Sequence, residues 1–120
     1  MKQFYKSFVE HFNEQPISIL EIGSRDGDSA EELRALANIE PGLVNVAEPH
    51  PTSYRNIIKK YPAFRVFELA ISDNTGVLNF NAVPETYNKH VVGTSSLLTP
   101  AADKIHLYPP LNWVKVLAVT

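Results

Sequence analysis

The sequence predicts a single α/β domain in which helices cover both faces of a mostly parallel sheet. Short β-branched segments alternate with amphipathic segments of helical period from residue 2 to residue 71. Two glycines bracket the turn between the first of these strands and the helix that follows it, and the length of 120 residues suits one domain. Alternation of this kind implies parallel strands joined by right-handed helical crossovers.

The first three elements follow from periodicity and from helix-start signals. Aromatic and apolar residues recur at helical spacing over 2–14, which predicts an amphipathic helix packed on the sheet. The apolar run over 17–23 predicts a strand buried on both faces. Ser29 and Glu32 have the spacing of a capping box, so we predict that the second helix spans 29–38.

The remaining elements are placed by turn residues as much as by periodicity. A short buried strand is expected over 43–48, a helix over 51–60 with Pro51 in its first turn, and a strand over 64–71. The turn cluster 72–76 and the alternating run 77–81 predict a hairpin that leaves the sheet. Residues 83–112 contain four prolines and predict a long loop, and 113–120 alternates like a strand.

A candidate ligand site lies where the first two strands end. The turn Gly23–Gly27 places backbone amides and a helix N-terminus at the carboxyl end of the first strand. Glu48 ends the second strand, where an acidic side chain can accept both hydroxyls of a ribose. These two features together predict a nucleoside site.

Four segments in register resemble the FkbM-type family, within the class I methyltransferases that use S-adenosylmethionine and have a Rossmann-like fold. They are EIGSRDG at 21–27, AEPHPTSY at 47–54, LAISDNTGVLNF at 69–80 and GTSSLL at 93–98. Arg25 departs from the pattern, because the family usually has asparagine there and many class I enzymes have glycine. The resemblance covers nearly all of this chain but only about the first half of the family's domain. It therefore implies that residues 1–120 form the cofactor-binding portion of a three-layer sandwich, which would be truncated in this chain.

The resemblance also implies an activity and a set of contacts. S-adenosylmethionine would be the cofactor, and the reaction would be O-methylation of a hydroxyl on a small molecule or a glycan. The residues that would bind the cofactor are Glu21, Gly23, Ser24, Arg25 and Gly27 around the methionyl part, Glu48 and Pro49 at the ribose, and Ile71, Ser72 and Asp73 beside the adenine. Each position also has a structural interpretation, such as a plain turn for Ser72 and Asp73, or a surface ion pair for Arg25 with Asp26.

No catalytic residue is assigned. His90 and His106 are candidates for a general base that deprotonates the acceptor, but solvated loop histidines have the same pattern. Ser95 and Ser96 match a serine pair of the family, without an implied role. The histidines lack metal-ligand spacing, and no G-x-S-x-G motif indicates a serine hydrolase.

Composition narrows the classes of partner. With a net charge of −2, the chain lacks the positive charge that attracts nucleic acid or anionic lipid. It also lacks a run of 18 apolar residues, so the sequence predicts no membrane span. The absence of cysteine excludes a disulfide scaffold and is compatible with a reducing cytosol, so we expect a cytoplasmic protein without a membrane partner.

Two alternatives from other classes stay open. A nicotinamide-dependent oxidoreductase domain shares the glycine turn and the ribose acid, although Gly23 and Gly27 lack the G-x-G-x-x-G spacing. A non-catalytic module, which binds cofactor weakly or serves in interactions, would have kept only the fold.

One further expectation concerns association. In the class I strand order the first strand is central, and its partner on one side, the fourth strand, is not recognisable in this sequence. We therefore expect that strand 17–23 either exposes an edge through which two copies pair, or is covered by residues 113–120.

Overall fold

The computed structural model describes residues 2–11, 17–84, 95, 97–98, 102–103 and 112–120. The helices are α1 (Lys2–His11), α2 (Asp28–Ala37) and α3 (Pro51–Lys60), with a 3₁₀ turn at Pro41–Leu43. The strands are β1 (Ile19–Ile22), β2 (Val44–Ala47), β3 (Arg65–Phe67), β4 (Leu69–Ile71), β5 (Gly76–Ala82) and β6 (Asn112–Val119).

Most of the predicted elements are present with small shifts in their ends. Helix α3 has the predicted bounds, because Pro51 suits the first turn and Pro62 follows shortly after its end. The predicted strand 64–71 is divided at Glu68 into β3 and β4, which pair with different neighbours. Residues 12–14 of the predicted first helix, His90, Ser96 and His106 lie outside the described residues.

The predicted capping box is wrong. Helix α2 begins at Asp28, with Gly27 as its N-cap in the left-handed conformation and no side chain capping the end. Ser29 therefore lies inside the first turn and not at the N-cap. Glu32 is then too far from the N-cap residue Gly27 to form the second hydrogen bond of a capping box. A left-handed glycine that ends the β1 turn determines where the helix starts.

The strands of the described residues form two three-stranded sheets. In the first, β2 pairs in parallel with β1 on one side and with β3 on the other. In the second, β6 lies between β4 and β5, parallel to β4 and antiparallel to β5. The predicted hairpin is wrong, since the turn after Ile71 joins two strands that β6 separates. Strand β6 also does not cover β1, contrary to one of the two expectations for that edge.

The helices α2 and α3 cover one face of the first sheet. The core there contains Ile19 from β1, Val44 and Val46 from β2, and Ile57 from α3, all buried. Helix α1 packs chiefly against α2, whereas the sequence predicts packing on the sheet. A second core lies on the other sheet around Phe80 and Val116.

The opposite face of the first sheet has no helix over it among the residues described. Leu20 is 63% exposed and Ile22 is 56% exposed, although the sequence predicts burial on both faces of β1. Phe67 on β3 shares this face by its register with Ala47 and is also exposed. The described part of the chain thus shows an α/β arrangement with helices on one side. In that same part, no helix has the length and apolar character needed to cross a membrane.

Candidate functional site

The turn after β1 is shaped by three residues with positive φ. Gly23 (φ 71°), Arg25 (φ 66°) and Gly27 (φ 79°) all have left-handed backbone, which glycine adopts without the Cβ clash that other residues suffer. Ser24 Oγ donates a hydrogen bond of 2.9 Å to Glu21 Oε2 and accepts one of 3.0 Å from Gly27 N. The buried Ser24 hydroxyl therefore closes the turn against the end of β1.

Glu48 joins this turn to the end of β2. Its side chain is buried, and its two carboxylate oxygens accept hydrogen bonds from different backbone amides. Arg25 N donates to Oε2 at 2.7 Å, and His50 N donates to Oε1 at 2.8 Å. Each oxygen keeps a further lone-pair position, because a carboxylate can accept about four hydrogen bonds in all. The two predicted motifs thus meet at one carboxylate.

A cavity of about 110 Å³ opens beside Glu48. Four of the predicted cofactor-binding residues line it: Gly23, Arg25, Glu48 and Pro49. The other lining residues, for which the sequence predicts no ligand role, are His50, Ser53, Phe80 and Ser95. The volume is below the roughly 300–1,000 Å³ of pockets that enclose a drug-sized molecule, so this cavity has room for one portion of such a ligand.

Ser53, Phe80 and Ser95 reach the cavity from separate parts of the chain. Ser53 comes from the first turn of α3, whereas Phe80 lies on β5 and Ser95 follows it in the chain. Only pairing of β5 into the second sheet brings Phe80 to this place. His50 had a local signal, since a residue directly before proline at the first helical position is a candidate N-cap.

The third predicted segment lies elsewhere in the described structure. Ile71 ends β4 in the second sheet, Ser72 and Asp73 follow it, and none of the three lines the cavity. Ser72 N donates to Val119 O, and Ser72 Oγ donates to Asp73 Oδ1. These contacts are those of a turn beside β6, so the structure does not bring these residues to the first two motifs.

Burial raises the pKa of Glu21, because desolvation disfavours the charged carboxylate at the end of β1. Hydrogen bonds from Ser24 and from the Ala30 amide oppose the rise. Asp26 and Glu48 add negative charge nearby, which raises the pKa further. A cation close to Glu21 would offset both effects.

Asp26 Oδ1 accepts from Asp28 N, which gives its side chain a role within the turn. Among the described residues, no group of three histidine, cysteine or acidic side chains could hold a metal ion.

The site offers hydrogen-bond acceptors, backbone donors and one aromatic wall. Glu48 can accept from hydroxyl groups, Glu21 can pair with an ammonium group, and the Phe80 ring provides an apolar surface. Comparison of the chain with protein-family models, curated proteins and solved structures finds no match.

Proposed function

We propose that the chain is a Rossmann-like cofactor-binding domain of an S-adenosylmethionine-dependent methyltransferase. One observation carries the proposal: the Glu48 carboxylate at the end of β2 holds the backbone of the β1 turn through Arg25 N, beside a cavity that both line. An acid at the tip of the second strand, next to the glycine turn of the first, suits recognition of a ribose.

The residues present fit this cofactor. A Cβ added at Gly23 would meet no heavy atom within 4 Å, so there is open space over the turn. Glycine leaves this space free because it has no side chain. The remaining lone pairs of Glu48 would accept the ribose hydroxyls, and Glu21 would pair with the ammonium of the methionyl part. The cavity would enclose the middle of the cofactor, with its ends extending beyond it.

When bound, the cofactor supplies an activated methyl group. The acceptor we propose is a hydroxyl oxygen on a small molecule or a glycan. The protein needs little side-chain chemistry for this transfer, because alignment of oxygen, methyl carbon and sulfur can supply most of the rate enhancement. The role proposed for Glu21 and Glu48 is therefore to fix the cofactor, and no residue is assigned as base.

Calorimetry with S-adenosylhomocysteine tests the proposal. We expect binding to the wild type, and an affinity lower by roughly 10- to 150-fold in Glu48→Ala, since a hydrogen bond to a charged group contributes about 1.5–3 kcal/mol. Glu48→Gln keeps a side-chain oxygen that can accept a hydrogen bond from one of the two backbone amides. Comparing it with Glu48→Ala separates the effect on ligand binding from the effect on the β1 turn. Glu40→Gln, an exposed acid that precedes the 3₁₀ turn, is the matched control and should bind like the wild type.

Two results would contradict the proposal. Folded wild-type protein that shows no heat of binding at millimolar S-adenosylhomocysteine would remove the cofactor assignment. Binding of NADH in its place would favour the nicotinamide alternative.

We further propose that two copies associate through the edge of β1 and that the protein works in the cytoplasm. The exposed Leu20 and Ile22 support the first point, and the absence of cysteine is compatible with the second.

A further inference from the structure

His50 connects the two sheets at the edge of the cavity. It follows β2 in the chain, is buried, and lies next to Phe80 of β5 with the two rings edge to face at 6.3 Å. His50 Nε2 lies 2.9 Å from Val83 O, just beyond the end of β5. Its Nδ1 accepts a hydrogen bond of 3.2 Å from Thr52 N at the start of α3.

The partners of the ring determine its tautomer. Thr52 N–H can only donate, so Nδ1 carries no proton in this arrangement. The Val83 carbonyl oxygen can only accept, so Nε2 must carry the proton. The ring is therefore neutral, caps α3 with one nitrogen and holds the end of β5 with the other.

Val83 is itself bonded to a residue that lines the cavity. Val83 N donates a hydrogen bond of 2.9 Å to Ser95 Oγ, and Ser95 lines the cavity. On its other side, the backbone amide of His50 donates to Glu48 Oε1. One residue thus links Glu48 to Phe80 and Ser95, which form another wall of the cavity.

We propose that His50 is a positioning residue that sets the distance between Glu48 and the wall formed by Phe80 and Ser95. This inference rests on the proposed function for its ligand, a nucleoside-containing cofactor held in the cavity. The Nε2–H bond to Val83 O carries the positioning role, whereas the Nδ1 bond to Thr52 N carries the capping of α3. Loss of the first should weaken ligand binding, and loss of the second should lower stability.

Two substitutions separate these roles. In His50→Asn the side-chain oxygen can take the place of Nδ1 as a helix cap, but the shorter side chain does not reach Val83. In His50→Gln the terminal amide nitrogen can donate to Val83 O in place of Nε2, while the cap is lost. We expect S-adenosylhomocysteine to bind roughly 3- to 10-fold more weakly to His50→Asn than to the wild type, the effect of about one hydrogen bond. Binding to His50→Gln should stay close to wild type, with a lower thermal midpoint.

Amide hydrogen exchange and the ring nitrogens provide readouts that need no ligand. The Val83 amide should exchange slowly in the wild type and in His50→Gln, and faster in His50→Asn. The ¹⁵N shifts of the His50 ring in the wild type should show the neutral form protonated at Nε2, a test that does not require any variant to fold.

Equal loss of affinity in both variants, or unchanged affinity in His50→Asn, would overturn the proposal. Protonation of Nδ1 in place of Nε2 would overturn it as well. Absence of S-adenosylhomocysteine binding to the wild type would instead contradict the proposed function. The hydrogen-exchange comparison would then decide whether His50 holds this wall, and equal Val83 exchange in the two variants would show that it does not.

Discussion

The two glycines of the β1 turn share a conformation but differ in their surroundings. A Cβ on Gly23 would meet open space, whereas a Cβ on Gly27 would lie 2.9 Å from Tyr61 Cδ2. Alanine at either position adopts positive φ at a cost of about 1–2 kcal/mol. Only at Gly27 is a packing conflict with the Tyr61 ring added, and a shift of that ring would disturb its stacking on Phe64.

We therefore predict that Gly27→Ala lowers the free energy of unfolding by roughly 1–3 kcal/mol more than Gly23→Ala does. Denaturant unfolding of the two variants measures the difference. In a Tyr61→Leu background the difference should shrink, since the smaller side chain can give way. Equal destabilisation in the wild-type background would contradict the close contact.

Glu21 illustrates a conflict between stability and binding at a single residue. Its pKa in the folded protein is raised, chiefly by burial, so the folded state holds the proton more tightly than the unfolded state does. The free energy of unfolding should therefore fall as the pH rises from the ordinary value of 4.5 through the raised value.

Glu21→Gln should remove that fall and make the ligand-free protein more stable at pH 7 than the wild type. The same substitution should weaken S-adenosylhomocysteine binding, because the ammonium loses its carboxylate. Urea unfolding at pH 4 and pH 7, with calorimetry at pH 7, measures both effects. A variant that is less stable than the wild type at pH 7 would contradict the burial argument.

At the scale of elements, Asp28 ties the start of α2 to the end of α3. Its Oδ1 accepts hydrogen bonds of 2.6 Å from Lys60 Nζ and from Tyr61 Oη. These hydrogen bonds, that of Lys60 first, lower the pKa of Asp28 below its ordinary value of 3.8. The pair with Lys60 is largely exposed, so solvent screens it and its contribution to stability is small.

The sign of the pH effect at Asp28 is opposite to that at Glu21. The stabilisation is fully present above the ordinary value of 3.8 and is lost as the pH falls through the lowered value in the folded state. Asp28→Asn should therefore lower stability at pH 7 and flatten the acid limb of the stability curve between the ordinary value of 3.8 and the lowered value in the folded state. Thermal unfolding between pH 2 and pH 7 measures both changes, and an unchanged acid limb in the variant would show that Asp28 does not cause it.

At the scale of the whole molecule, an apolar sheet face and a strand edge coincide. Strand β1 pairs only with β2 in the described structure, and its side chains Leu20 and Ile22 point away from the helices into solvent. Exposed edges and apolar faces of this kind favour association, because they offer backbone hydrogen bonds and buried area to a second chain.

We predict that the chain self-associates and that Leu20→Lys weakens the association. A charge on an edge strand disfavours pairing with another strand. Sedimentation velocity over a range of protein concentrations measures the effect, with Leu36→Lys as the control, an exposed leucine on α2 at 44%. A wild-type chain that stays monomeric at every concentration would contradict the prediction.

Local chemistry explains the elements that were predicted well. Helix α3 is delimited by Pro51 and Pro62, whose fixed φ and missing amide act within one turn of chain, so neighbouring residues suffice to place it. The strands β1 and β2 are rich in β-branched residues, a local pattern that the sequence alone makes recognisable. The meeting of the glycine turn with Glu48 was also predictable, because the carboxyl ends of adjacent parallel strands share one edge of the sheet.

Long-range pairing determined what the sequence by itself left open. The sequence determined the order of helices and strands, the turn Gly23–Gly27 and the acid Glu48 beside it. Only the tertiary structure decided that β6 inserts between β4 and β5, which brings Phe80 to the cavity and leaves Ser72 and Asp73 outside it. Strand pairing joins residues that are distant in sequence, and the β-branched pattern of a strand does not determine which other strand it pairs with.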